Sequence, residues 1–209
     1  MCCSITLSSA LHDYSSLAVC NSIPPYAILS HTWGADGIKK IQFCGEEAAK
    51  DGLGYFWVDT CCIDKSSSAE LQEAINSMFQ WYAKATQCYV YLEDVSTGGL
   101  AQSDLSSQQT WKLMFQKSRW FTRSWSLQEL LAPKSVEFFS GEGLLLGNRI
   151  SLMQEIHDTT GIAIEALQGS PLSNFSIAER FSWARKRTTK PAPDGDTEIY
   201  ELEQRSRGI

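Results

Sequence analysis

The sequence predicts an α/β fold with a mostly parallel sheet, flanking helices and extra helices near the C-terminal end. Short runs of aromatic and β-branched residues alternate with longer amphipathic patterns, the runs are almost continuously apolar, and turn-forming residues bound each run. Continuous apolar runs are typical of strands buried on both faces, and their alternation with helices indicates parallel pairing. We therefore expect one central sheet covered on both sides.

Each predicted element follows from a short stretch of the chain. The predicted strands are YAILS (26–30), YFWVDTCCI (55–63), CYVYL (88–92) and SVEFF (135–139). The predicted helices are 38–52, 67–85 and 124–132, then 151–161 and 176–187 after the last strand. The helix 67–85 has the clearest helical periodicity. Pro133 ends the predicted helix 124–132. The polar stretch 96–109 is predicted to be a loop, and GEGLLLG (141–147) a turn.

The composition limits the domain organisation, the location and the partners of this 209-residue chain. We divide it into a lead-in (1–23), one domain (24–189) and a charged, weakly ordered tail (190–209). A net charge of -6 argues against nucleic acid as a partner, because phosphate recognition needs a basic surface. No apolar run is long enough to span a membrane, and no secretory signal is present. Seven cysteines without paired spacing indicate reduced thiols, so we expect a cytoplasmic protein.

Polar residues gather where the predicted strands end. They are Ser30, His31, Thr32, Trp33 and Gly34 after the first strand, Asp59 through Asp64 after the second, and Glu93 and Asp94 after the third. Parallel strands bring their carboxyl ends to one edge, where ligands bind in open α/β sheets. We therefore expect Ser30, His31, Trp33 and Asp59 to share one concavity.

Other apparent motifs do not support a site. The three histidines share no metal-ligand spacing, so no metal site is predicted. There is no GxSxG elbow for a serine hydrolase. Cys61 and Cys62 fall at the end of a predicted buried strand, where adjacent cysteines are more often core residues than nucleophiles.

Three stretches resemble the heterokaryon-incompatibility (HET) domain of filamentous fungi. They are PPYAILSHTWG, YFWVDTCCIDKSSSAELQEAINSMFQWYAKATQCYVYLEDV and SRWFTRSWSLQELLAP, and RFSWARKRTTK resembles the segment that closes the domain. The resemblance covers most of residues 24–190 and implies an effector of nonself recognition that triggers cell death. After Lys190 the chain departs from the family pattern.

HET domains are in turn described as remote relatives of TIR domains, which have a flavodoxin-like sheet and some of which cleave NAD. A TIR helix often carries a tryptophan followed four residues later by glutamate, and Trp125 and Glu129 have that interval here. The resemblance therefore implies that Glu129 is a catalytic carboxylate and that Trp125 shapes its pocket. It also implies a nucleotide site lined by Ser30, His31, Trp33, Asp59 and Asp64.

The chemistry implied for Glu129 is cleavage of NAD or a related nucleotide, used as a substrate without any cofactor or metal. A carboxylate beside the sugar can stabilise an oxocarbenium-like transition state or attack it while nicotinamide leaves. Two alternatives stay open. Glu129 could instead pair with Arg119 or Arg123 and anchor its helix. The chain could also be an interaction module that signals by self-association, with no chemistry of its own.

Overall fold

Six strands form one sheet with a parallel centre. The computed structural model describes residues 5–6, 23–32, 37–63, 68–98, 105–185 and 187–188. The strands are β1 (Ile5–Thr6), β2 (Ala27–His31), β3 (Tyr55–Trp57), β4 (Gln87–Tyr91), β5 (Val136–Phe139) and β6 (Leu145–Asn148). Their order is β1-β3-β2-β4-β5-β6. The four inner strands are parallel to one another, whereas β1 and β6 pair antiparallel with β3 and β5 at the two edges.

The order of the inner strands is that of a flavodoxin-like sheet, because the first of them (β2) lies between the second (β3) and the third (β4). The predicted α/β fold is therefore confirmed. Every residue of β2 and β4 is buried. Strands covered on both faces have no exposed side, which explains why their apolar runs are continuous.

The helices form two layers around this sheet. They are α1 (Gly37–Lys50), α2 (Asp59–Cys62), α3 (Ser68–Lys84), α4 (Leu105–Gln116), α5 (Ser126–Leu131), α6 (Met153–Thr160), α7 (Ile164–Leu167) and α8 (Ile177–Ala184), with short 3-10 turns at Arg119–Thr122 and Leu172–Asn174. None of the described helices is both long and apolar enough to cross a membrane.

Alternate residues of β2 contact opposite layers of the core. Leu29 belongs to the cluster built with α1, which includes Phe43. Ile28 belongs to the larger cluster on the other face, which includes Tyr82 of α3 and Leu130 of α5. Because side chains alternate along a strand, Ser30 is directed to the same face as Ile28. This alternation places Ser30 under α5.

Three sequence predictions were wrong in part. The second strand ends at Trp57, and the segment Asp59–Cys62, predicted as strand, is helical. Asp59 in its first turn suits the positive end of a helix, so the chain turns here although the run stays apolar. Cys61 and Cys62 therefore lie in a helical turn. Cys44 and Cys88 are buried.

The predicted loop 96–109 gives way to helix α4 at Leu105. Trp111, Met114 and Phe115 have helical spacing and contact the core, which overrides the weak helix propensity of the serines before them. The predicted turn at 141–147 contains a turn at its start, but it continues as β6, which pairs with β5.

The C-terminal helices were predicted correctly as α6 and α8. Ser176 and Glu179 form a capping box at the start of α8. Beyond α8, the Thr188 N–H donates to the Thr122 carbonyl at 2.7 Å and forms a parallel bridge with Arg123. The chain thus returns to the start of α5. The predicted tail 190–209 lies outside the described residues.

Candidate active site

The carboxyl ends of β2 and β4 lie side by side at the centre of the sheet. The strand order reverses at this point, and doubly wound sheets bind ligands in the crevice that such a reversal creates. Since β2 and β3 are parallel, their carboxyl ends reach the same edge. The residues predicted to form one site therefore follow the carboxyl ends of neighbouring strands, on the same edge of the sheet.

A buried carboxylate faces the end of β2. Glu129, on α5, keeps only 8% of its surface exposed. The Ser30 hydroxyl donates to Glu129 Oε2 at 2.5 Å and accepts a hydrogen bond from Trp120 Nε1 at 2.7 Å. Ser30 therefore connects Glu129 to Trp120, and its hydroxyl hydrogen is already used by the carboxylate. A contact between Ser30 and a nucleotide stays a prediction.

The surroundings of Glu129 change its ionisation. Burial raises the pKa of Glu129 to about 7, and the nearby charge of Asp59 acts in the same direction. The charges of Arg123 and Arg187 and the Ser30 hydrogen bond lower this pKa and offset part of the burial effect. A carboxyl group that exchanges its proton near neutral pH suits acid–base or nucleophilic chemistry.

Neither ion pair considered for Glu129 is present. Arg119 instead pairs with Asp94, with Arg119 Nε 3.4 Å from Asp94 Oδ2. Arg123 Nη1 donates to the His31 carbonyl, and its charge acts on Glu129 without a direct ion pair. Within the described part of the chain, the Glu129 carboxylate makes no ion pair. Glu129 is therefore a buried acid that no cation neutralises directly.

His31 and Asp59 lie together at the same edge of the sheet. His31 Nδ1 is 3.9 Å from Asp59 Oδ1, and the His31 side chain is almost fully buried. The charge of Asp59 also raises the pKa of Glu129. Trp33 and Asp64 lie outside the described residues. The structure thus brings Ser30, His31 and Asp59 to the edge that Glu129 faces.

Trp125 occupies the position before the first residue of α5. It is half-buried, and its carbonyl accepts the Glu129 N–H at 3.2 Å, one helical turn later. The four-residue interval between Trp125 and Glu129 therefore corresponds to one hydrogen-bonded turn of this helix. The shaping of a substrate pocket by Trp125 stays a prediction.

Three residues of the site were missed by the sequence prediction: Tyr82, Trp120 and Arg187. The Tyr82 hydroxyl donates to the Leu29 carbonyl at 3.1 Å; burial raises its pKa, and the charge of Glu129 raises it further. Helical spacing identified Tyr82 only as a core residue. No local signal identified Arg187, which comes 58 residues after Glu129 in the chain.

The other acidic residues at strand ends have structural partners. Lys40 Nζ donates to Glu93 Oε2 at 2.7 Å and to the Thr32 carbonyl at 3.0 Å. Asp94 accepts from the Ser118 hydroxyl at 2.7 Å and the Arg119 N–H at 2.8 Å. Asp94 therefore fixes the start of the turn that carries Trp120.

Among the described residues, no group of three or more His, Cys, Asp or Glu side chains is arranged to hold a metal ion. The chemistry available here comes from the carboxyl group of Glu129, the hydroxyl of Ser30 and the charges around them. Fold and site together define an α/β protein of flavodoxin-like strand order, with a buried acid at its switch point.

Comparison with known proteins gives the family. Residues 26–114 match the family model "Heterokaryon incompatibility protein (HET)". The chain is also 55% identical, over 190 residues, to the Vegetative incompatibility protein HET-E-1 of Podospora anserina. That match covers 82% of this chain and 14% of the relative. No solved structure matches the chain significantly. The chain belongs to the HET-domain proteins, as its sequence motifs predicted.

Proposed function

We propose that this chain acts in heterokaryon incompatibility by cleaving NAD, with Glu129 as the catalytic carboxylate. The HET domain and the similarity to a vegetative incompatibility protein support the biological role. The buried carboxylate of Glu129, which forms no ion pair with any residue that the structure describes and has a pKa raised to about 7, carries the enzymatic part. Structural acids in a core are normally paired, whereas strongly perturbed acids concentrate at functional sites.

The proposed reaction breaks the bond between C1′ of the ribose and N1 of nicotinamide. Water supplies the hydroxyl group that C1′ gains and releases one proton, so that NAD and water give ADP-ribose, nicotinamide and H⁺. The ionised Glu129 stabilises the positive charge that develops on the ribose, or attacks C1′ first. The Ser30 hydrogen bond favours the ionised form that this step needs.

The test is incubation of the purified chain with NAD, both free and tethered into oligomers, with free nicotinamide measured. We expect nicotinamide release by the parent and none by Glu129→Gln, and the same contrast for cell death in fungal cells. Glu137→Gln is a matched control, because Glu137 is a partly buried glutamate whose pKa is also raised by burial. Glu137 bonds Gln87 at the start of β4, near the opposite edge of the sheet.

Nicotinamide release that survives Glu129→Gln would contradict the assignment of Glu129. Cell death without any NAD cleavage would support the interaction module that signals by self-association.

A further inference from the structure

Two buried arginines from later in the chain hold the helix that carries Glu129. Arg149 Nη1 donates to the Leu130 carbonyl and to the Pro133 carbonyl, both at 2.9 Å. Arg187 Nη1 donates to the Ser126 hydroxyl at the first residue of α5. A helix of 6 residues is not stable alone, so its position depends on such contacts.

The two arginines differ in what they do to Glu129. The charge of Arg187 lowers the pKa of Glu129, and burial lowers the pKa of Arg187 to about 10 while Glu129 opposes this. Burial also lowers the pKa of Arg149, but the acid that acts on Arg149 is Cys88. Arg149 therefore holds the end of α5 without a resolved electrostatic effect on Glu129, whereas Arg187 both holds its start and acts on its carboxylate.

The contacts of Arg187 and of the residue after it hold the segment that follows α8 against the start of α5. Its Nε donates to the Trp183 carbonyl at 3.3 Å, and Nη1 donates to the Arg123 carbonyl at 3.2 Å. The next residue, Thr188, bonds the backbone of Thr122. Arg187 is 5% exposed, and its buried Nη2 makes no hydrogen bond with a described residue. Burial of an incompletely bonded guanidinium is costly, and the buried Nε of Arg149 is likewise without a hydrogen bond to a described residue. The charge near Glu129 and the contact with the Arg123 backbone are what set Arg187 apart.

Several charged or titratable groups face Glu129 from different elements. Arg123 lies between the 3-10 turn and α5, Asp59 belongs to α2, and Arg187 follows α8. Tyr82 of α3 and Cys88 of β4 also lie close enough for their ionisation to be affected by Glu129. Of the two cations, Arg123 has the larger effect, and Arg187 holds the Arg123 backbone in place.

We propose that Arg187 is a positioning residue for Glu129, which fixes the start of α5 and places a buried positive charge beside the carboxylate. The site is complete only when the chain after α8 is docked on residues 122–126. The catalytic meaning of this role rests on the proposed function, but the docking and its effect on the carboxylate do not.

The direct test is a titration of Glu129 in the full chain by carbon NMR of labelled glutamate side chains, with Glu129→Gln identifying its signal. Arg187→Gln should raise the titration midpoint by on the order of one pH unit, because a nearby positive charge is lost. Arg149→Gln tests loss of a helix contact alone, and Arg185→Gln tests loss of an exposed charge at the end of α8. Both should leave the midpoint unchanged. An unchanged midpoint in Arg187→Gln, or an equal rise in Arg149→Gln, would overturn the proposal.

A second measurement covers the case in which Arg187→Gln folds poorly. Glu129→Gln should raise the melting temperature of Arg187→Gln more than it raises that of the parent at pH 8, because the isolated carboxylate is removed. It should give no such extra gain to Arg149→Gln. Equal gains in all three backgrounds, or a double variant that stays unfolded, would show that Arg187 and Glu129 are not coupled.

Failure of this proposal can be separated from failure of the proposed function. If the parent releases no nicotinamide but the Arg187→Gln midpoint rises, the positioning role holds and the NAD reaction fails. If the parent releases nicotinamide, Arg187→Gln should lower the rate at pH 7 and shift its pH profile upward, while Arg187→Lys restores part of it by keeping the charge. A lower rate with an unmoved profile would show a merely structural role.

Discussion

Two buried charged groups at the carboxyl edge of the sheet are treated in opposite ways. On the α1 side, Lys40 is 1% exposed and its Nζ lies 2.7 Å from Glu93 Oε2, so the buried ammonium is neutralised directly. On the α5 side, the hydrogen-bond donor to the Glu129 carboxylate among the described residues is the neutral hydroxyl of Ser30, and the pKa of Glu129 is raised to about 7. The two groups follow adjacent strands of the same sheet, yet within the described ranges Lys40 has an ion-pair partner and Glu129 does not.

The presence of an ion pair at Lys40, and its absence among the described residues at Glu129, distinguishes a site that stabilises the fold from one that does not. An ion pair with a backbone carbonyl as a further partner satisfies a buried cation and fixes α1 on the sheet. A buried carboxylate without an ion pair lowers the stability of the folded chain at neutral pH. Lys40 and Glu93 therefore stabilise the fold, whereas the buried carboxylate of Glu129 is consistent with the catalytic role proposed above.

We expect the greatest difference between Glu129 and Glu93 in the rate of NAD cleavage. Glu129→Gln should reduce NAD cleavage by roughly a thousandfold or more, because loss of an essential catalytic group typically has this effect. Glu93→Gln, assayed at a temperature where it is folded, should keep most of the activity. Nicotinamide release measured by chromatography checks both, and equal losses in the two variants would erase the distinction.

Stability should show the reverse contrast. Glu93→Gln leaves the Lys40 ammonium buried without its counter-ion, which should lower the free energy of unfolding by about 3 kcal/mol, near the low end for buried pairs. The Glu93 side chain keeps 29% of its surface exposed, which favours the low end. Urea unfolding at pH 7 checks this value. Glu155→Gln is the control, since its partner Lys112 is largely exposed and the loss should stay below about 1 kcal/mol.

The third prediction concerns pH. The folded pKa of Glu129, about 7, lies above its ordinary value of 4.5. Between these values the unfolded chain has released the proton that the folded chain still holds, so stability falls as pH rises and levels off above pH 7. The total fall is about 3 kcal/mol for this one group.

Glu129→Gln lacks this carboxyl group, so its unfolding free energy should not show the decrease with rising pH that Glu129 causes. Its gain over the parent in unfolding free energy should be near zero at pH 4.5 and approach about 3 kcal/mol at pH 8. Urea unfolding at a series of pH values measures the difference. Parallel profiles for variant and parent would mean that Glu129 is not the buried acid described above.

The smallest effect is expected for Ser30. Ser30→Ala removes the donor to Glu129 and leaves Trp120 Nε1 without its acceptor, so unfolding free energy should drop by about 1 kcal/mol. The pKa of Glu129 should rise further, because the bond favours the ionised form. The pH profile of nicotinamide release should therefore move upward. Ser182→Ala removes an exposed hydroxyl on α8 and should change none of the unfolding free energy, the pKa of Glu129 and the pH profile.

Local patterns were enough to locate the four parallel inner strands, but not the edge strands β1 and β6. The apolar runs at 26–30 and 88–92 differ from β2 and β4 by a residue at each end, because burial on both faces leaves a strong local signal. Asp59 and Leu105 mark where the same reasoning failed. At Asp59 the chain changes from strand to helix within the stretch predicted as one strand, and α4 begins at Leu105 inside the predicted loop. The core contacts of α4 are made further along, by Trp111, Met114 and Phe115.

The amino-acid sequence was sufficient to predict the fold class, the family motifs and the position of Glu129 four residues after Trp125. These depend on neighbours in the chain, whose spacing is fixed by helix and strand geometry. The surroundings of Glu129, in contrast, follow from long-range packing in the folded chain. Its hydrogen-bond donor precedes it by 99 positions and the buried Arg187 follows it by 58, and no local pattern links such distant residues. The ionisation of a buried acid depends on all charges and solvent around it in space, so it is fixed only when the chain has folded.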